Sequence, residues 1–156
     1  MALVIGTMFT SCEKDDGSEG IQMRMRNRDN GNDRIYLLSV DDTINYSGNW
    51  VCLGISSSNN FYVVEEHTYN ASYSYCDIAC VGGVSSLGKI NNIPNSGWTD
   101  EIAVQPGQGY IIRHWDSKKK SRYFKYARVY VEEWIEGTSG GILGAVIRYE
   151  DNWKEE

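Results

Sequence analysis

Two prolines and two histidines are all that the 156 residues hold of either type. So little proline, alongside 41% hydrophobic residues, speaks against a disordered chain. So little histidine limits imidazole-based metal and acid–base chemistry. No apolar run approaches the roughly 18 residues that a membrane-spanning helix needs. Basic residues are the minority, 15 against 21 acids, for a formal charge of −6. That argues against a dedicated nucleic-acid binder, whose footprint is usually basic. Signature motifs are missing too: there is no Gly-x-Ser-x-Gly, no His-Glu-x-x-His and no phosphate loop. No segment carries a helical stripe. What is abundant is aromatic: five Trp, eleven Tyr and three Phe. The length is that of about one domain. A body of ~140 residues can bury roughly two thirds of its unfolded surface, enough for one core.

The first residues read as an address. Met1 to Ser11 carry no charge, Ala2 to Phe9 are an apolar run, Thr10 and Ser11 are small, and Cys12 follows. This resembles the lipobox of bacterial lipoproteins, in which such a Cys takes the lipid and becomes the new N-terminus. Glu13-Lys14-Asp15-Asp16 comes next. A Cys followed by Lys-Asp-Asp resembles the export signal of surface lipoproteins in the Bacteroidetes. The resemblance implies a lipid on Cys12, an export role for Lys14, Asp15 and Asp16, and a place on the outer membrane, surface-exposed or facing the periplasm. The plainer reading is a short buried strand followed by a solvated acidic turn. Secretory signals run 15–30 residues and begin with a positive stretch. Residues 1–11 lack that stretch, so the expectation is a signal truncated at its start. Residues 12–19 are then a lipidated Cys and acidic tether, and residues 20–156 a single folded domain.

That domain reads as all-β. Ile21-Gln22-Met23-Arg24-Met25-Arg26 alternates strictly, as a half-buried strand does. Asn27 to Asp33 contains Asn30-Gly31, a strong hairpin signal, and Arg34 to Val40 reads as the returning strand. Further strands are expected over Trp50–Ile55, Asn60–Glu66, Ser72–Val81, Glu101–Gln105, Gly109–His114, Arg122–Ile135 and Gly141–Tyr149. These are rich in Tyr, Val, Ile, Trp and Phe. Turn residues separate them, as in Ser56 to Asn59 and Pro106-Gly107. Ile142 to Ile147 is apolar on both faces and belongs in a central strand. The expected architecture is an antiparallel sandwich or partly open barrel of about eight strands.

Three further pieces widen the resemblance. They are Met25 to Gly31; Ile93 to Trp98 with Ala103 to Tyr110; and Tyr126 to Val131 with Thr138 to Ala145. Together they look like an uncharacterised domain common in gut Bacteroides proteins. The resemblance implies a single β domain in a bacterial envelope setting and no catalytic residue. Lys118-Lys119-Lys120 departs from the pattern as a basic insertion.

Candidate sites compete with plainer readings. If Cys12 carries lipid, Cys52, Cys76 and Cys80 remain, so at most one disulfide can form. Cys76 and Cys80 share a strand face about 13 Å apart, too far to bridge. Cys52 paired with either, or three small core residues, both stay open. A zinc site from Cys76, Cys80 and His67 lacks a fourth ligand. Asn27, Asp29, Asn30, Asn32 and Asp33 offer oxygens of the kind calcium takes, but the spacing is that of a turn. No metal and no cofactor is expected. Glu65-Glu66 and Glu132-Glu133 read as solvated positions on opposite strand faces. Lys118, Lys119, Lys120 and Arg122 read as a solvated basic hairpin tip. Trp98 and Trp115 sit in or beside loops and are the candidates for exposed rings that stack on a ligand, with Tyr110 nearby; core packing is the competing reading. Asp42-Thr43-Ile44 matches a short O-glycosylation pattern, which makes Thr43 a candidate. The expectation is a non-catalytic module at the envelope. Its partners are the membrane, through the lipid, and a glycan or another envelope protein. A small envelope hydrolase is the alternative.

Overall fold

A computed structural model describes residues 20–27, 33–40, 49–66, 75–115 and 124–155. The readings on Cys12, Lys14, Asp15, Asp16, Asp29, Asn30, Asn32, Thr43, His67 and Lys118 to Arg122 lie outside these residues. Among the described residues nine strands run β1 (Ile21–Arg26), β2 (Ile35–Val40), β3 (Asn49–Ile55), β4 (Asn60–Glu66), β5 (Tyr75–Gly83), β6 (Glu101–Ala103), β7 (Gln108–Trp115), β8 (Phe124–Glu136) and β9 (Ile142–Glu155). A 3-10 turn at Leu87–Lys89 follows β5.

The strands form two antiparallel sheets. One has the order β1-β9-β8-β7-β5, the other β2-β3-β4-β6. They do not close into a barrel, so the fold is an all-β sandwich. Alternation decides which side chains meet in the middle. Val51, Leu53 and Ile55 of β3 and Phe61 and Val63 of β4 face Met25, Ile78, Tyr110, Ile112, Ala127, Val129, Ala145 and Ile147 of the larger sheet in one buried cluster. The apolar segment from Ile142 to Ile147 does lie centrally, with β9 between β1 and β8. β9 runs on to Glu155, past the expected end at Tyr149.

Two expectations need correcting. β1 and β2 do not form a hairpin: β1 pairs with β9, and β2 pairs with β3 in the other sheet. A turn signal marks a reversal of the chain, but the apolar face of β1 finds its partner in the strand nearly last in sequence. Asn27, at the end of β1, donates through Nδ2 to Asn59 Oδ1 and to the Ile142 carbonyl, which ties the connection to both sheets. The second correction is that Glu65 is not solvated. It points between the sheets with its side chain only 7% exposed.

The chain from Val84 to Trp98 crosses from the larger sheet to the smaller one. On the way it packs Leu87, Ile90, Ile93 and Trp98 on the outer face of the larger sheet, against Ile111, Tyr126 and Tyr130. The larger sheet is therefore covered on both faces over this stretch, which has consequences for where a ligand can sit.

Candidate functional site

The covered outer face is held by two arginines. Arg113 of β7 pairs with Asp77 of β5 at 2.8 Å and lies over the rings of Trp98 at 4.1 Å and Phe124 at 5.0 Å. Arg128 of β8, nearly buried, pairs with Glu150, donates to the Ile90 carbonyl at 3.0 Å and lies 5.1 Å from the Trp153 ring. Both guanidiniums are stacked and hydrogen-bonded at once, an arrangement that suits Arg and that Lys cannot reproduce. Trp98 belongs to this layer. Its indole N–H donates to the Pro94 carbonyl at 3.1 Å, which anchors the crossing segment. Trp98 therefore gives one ring face to Arg113 and its polar edge to its own loop.

Tyr110 is not at the surface. It is 1% exposed and meets Phe61 edge-on across the sandwich, with centroids 5.0 Å apart. Its hydroxyl donates to the Ala103 carbonyl at 2.8 Å and accepts from the Gln105 N–H at 3.0 Å. This is a tie of the tyrosine-corner kind, pinning the turn that carries the chain from β6 to β7. Burial pushes its pKa up to about 12. The core position takes Tyr110 out of any surface platform. Trp115 ends β7, half-buried, opposite Phe124 of β8. The three candidate rings thus do not converge on one exposed surface.

The outer face of the smaller sheet is different. Tyr36 is 52% exposed and Val64 49%. With the buried Cys52 between them they are register partners across β2, β3 and β4. Two residues along, Gly54, Tyr62 and Glu101 are partners across β3, β4 and β6. The Tyr62 ring lies over Gly54, where any Cβ would overlap it. Glycine is thus required there by the close approach of the ring. Arg34 donates from Nε to the Tyr62 hydroxyl at 3.0 Å, and its guanidinium carbon sits 5.7 Å from the ring centre. On the other side Asn60 Nδ2 donates to Glu101 Oε1 at 2.9 Å. Among the described residues a flat ring, a second tyrosine, a guanidinium and a carboxylate–amide pair therefore share this face. Sequence reasoning passed over Tyr36 and Tyr62. The signal was present, since each is flanked by two apolar residues that alternation sends inward (Ile35 and Leu37; Phe61 and Val63), which sends the tyrosines out.

At one end of the interior, His114 of β7 faces Glu65 of β4, Nε2 to Oε1 3.4 Å, with side chains 1% and 7% exposed. Cys76 is the register partner of His114. A thiol, an imidazole and a carboxylate are therefore neighbours. A nucleophilic Cys needs a lowered pKa. Here burial, helped by the charges of Glu65, Asp77 and Asp100, pushes Cys76 up to about 12, so it stays a thiol at neutral pH. Among the described residues no three His, Cys, Asp or Glu side chains are placed to hold a metal ion. Among the described residues Cys52, Cys76 and Cys80 form no disulfide with one another. Cys52 lies on the outer face of the smaller sheet while Cys76 and Cys80 belong to the larger one, which is why neither open pairing forms. Glu132 receives Arg148 Nε and, at 2.6 Å, Gln22 Nε2.

A model of a domain of unknown function, DUF5036, matches residues 54–156. The chain belongs to the DUF5036 family. No curated protein and no solved structure matches it. Within this DUF5036 chain the matched stretch opens at Gly54, beneath Tyr62, and runs through β4 to β9. It includes Arg113, Arg128, Trp98 and Tyr110. β1, β2 and most of β3 precede it, and with them Arg34 and Tyr36.

Proposed function

We propose that this DUF5036 protein is a non-catalytic binding module of the cell envelope, held to the outer membrane by a lipid on Cys12. The observation that carries the binding reading is the contrast between the two outer faces. The larger sheet covers its own with the Val84–Trp98 crossing and two stacked arginines. The smaller sheet leaves Tyr36 and Val64 about half exposed beside Tyr62. An exposed aromatic ring rimmed by polar side chains offers a surface on which a flat ligand can stack. One face of the Trp98 ring is taken by Arg113 at 4.1 Å, so we place the ligand on the smaller sheet instead.

The envelope setting rests on the order of features before the domain: an apolar run, two small residues, Cys12, and then Lys14-Asp15-Asp16. A lipidated Cys12 with a short acidic tether holds a domain against a membrane without spanning it, and two or more acyl chains make that attachment stable. Thr43, within Asp42-Thr43-Ile44, is the proposed glycan acceptor. Metabolic labelling with a fatty-acid probe is expected to tag the wild type and not Cys12→Ser; labelling that survives the substitution removes the anchor. Intact mass of the native protein against Thr43→Ala checks the glycan, and masses that differ only by the substitution remove it. The full chain carrying Cys12→Ser is to be screened against chromogenic esters, glycosides and peptides. The expected result is no turnover, and turnover that follows purified protein replaces the binding reading with the hydrolase one.

A further inference from the structure

The geometry points to a neutral saccharide as the ligand, with one pyranose ring stacked on Tyr62 and the chain continuing over Tyr36 and Val64. This rests on the binding reading above and assigns its ligand class and residues.

Three observations on the smaller sheet carry it. The first is shape. Tyr62 is laid across the sheet because Gly54 beneath it has no side chain, so the ring presents a face rather than an edge. The carbon-bound hydrogens of a pyranose stack on such a face, where a large rigid ring offers area at low entropic cost.

The second is polarity. Arg34 stands at the hydroxyl end of Tyr62, held by the 3.0 Å hydrogen bond, and Asn60 and Glu101 stand on the β6 side. Donors and acceptors therefore flank the ring on both sides, as a ring of hydroxyls requires. Among the described side chains of this face one guanidinium stands against one carboxylate, on a chain of net charge −6. Such a face has no excess positive charge with which to attract a uronate, sulfate or phosphate.

The third is size. Strand spacing and rise put Tyr36 and Val64 about 10 Å apart, with the Tyr62 row about 7 Å away. That is roughly the footprint of one or two sugar rings. The exposed area of Tyr36 and Val64, on the order of 200 Å², is enough to cover the face of one or two such rings.

The test is affinity electrophoresis of the full chain carrying Cys12→Ser. The gels contain β-glucan, xylan, mannan or amylose as neutral probes and polygalacturonate as the acidic one. Retardation is expected in at least one neutral gel and not in the acidic gel. In the retarding gel, Tyr62→Ala is expected to weaken binding about tenfold or more, and Tyr36→Ala several-fold. Tyr62→Phe, which keeps the ring, should stay within about threefold of wild type. The thermal midpoint of each variant is measured beside its retardation, so that a binding loss in a folded variant is separated from a folding defect. Retardation that ignores both tyrosines moves the site elsewhere and overturns this inference while leaving a binding module. Retardation by polygalacturonate alone, or by no polymer, overturns the neutral-saccharide assignment. Turnover in the hydrolase screen overturns the function reading instead.

Discussion

Replacing Tyr110 by Phe isolates a single hydroxyl inside the fold. The ring keeps its edge-on contact with Phe61, so no cavity opens. Lost are the bond to the Ala103 carbonyl and the bond from the Gln105 N–H. A net hydrogen bond is worth about 1 kcal/mol, and a stranded buried partner costs about 1–3 kcal/mol. Ala103 and Gln105 are themselves exposed, so water can replace part of the loss. The expected cost is therefore about 1–2 kcal/mol at pH 8, read from urea unfolding followed by Trp fluorescence. The same hydroxyl predicts a pH signature. The pKa of Tyr110 rises from its ordinary 10 to about 12 because burial disfavours the phenolate. Below pH 10 both folded and unfolded states hold the proton and the stabilisation is complete. Between pH 10 and 12 the unfolded chain releases the proton and the folded one does not, so stability falls as pH rises. At about 1.4 kcal/mol per unit, up to roughly 2–3 kcal/mol is lost by pH 12. Tyr110→Phe has no such proton to release, so the gap between wild type and variant should close and then reverse across that window. A variant within about 0.3 kcal/mol of wild type at pH 8, or a gap that stays constant from pH 9 to 12, refutes the reasoning.

Gly144 of β9 has φ +147° at its junction with β1, and an added Cβ would overlap the Met25 carbonyl oxygen. Gly144→Ala is expected to cost about 2–4 kcal/mol and to lower the thermal midpoint by about 10 °C, since neither backbone can yield; an unchanged midpoint by calorimetry contradicts it. Asp151 of β9 accepts the N–H of Leu38 at 2.8 Å, and Leu38 is a buried residue of β2 held at φ +54°. Asp151→Ala should cost about 1–3 kcal/mol, checked by the same urea titration, with Asp151→Asn losing less. Native Cys12→Ser protein at pH 8 should show one fast thiol towards Ellman's reagent, the exposed Cys80. Cys52, buried, and Cys76, pushed up to about 12, should react only on unfolding. Cys80→Ser that leaves the fast phase intact would show that the exposed thiol has been misassigned.

Local chemistry along the chain was enough to establish the strands. Ile21 to Arg26, Trp50 to Ile55 and Asn60 to Glu66 alternate or run apolar between turns, and side-chain direction in a strand depends only on period two. The class of fold follows from that, and so does the outward direction of Tyr36 and Tyr62. Pairing did not follow, because it depends on partners distant in sequence. The turn after β1 looks like a hairpin in isolation, yet β1 buries Met25 only by lying beside β9. Burial was likewise undetermined by residue type. Tyr110 and Trp98 both sit near glycine and proline turns, but one hydroxyl is consumed by the backbone of the β6–β7 turn, and one indole by Pro94 and Arg113. Glu65 reads as one of two solvated acids until the sheets close and set it against His114. Which outer face the crossing segment covers is also a matter of tertiary structure. The crossing of residues 84–98 could have lain over either sheet, and it covers the larger one because Leu87, Ile90 and Trp98 bury their apolar surface against Ile111, Tyr126 and Tyr130 there.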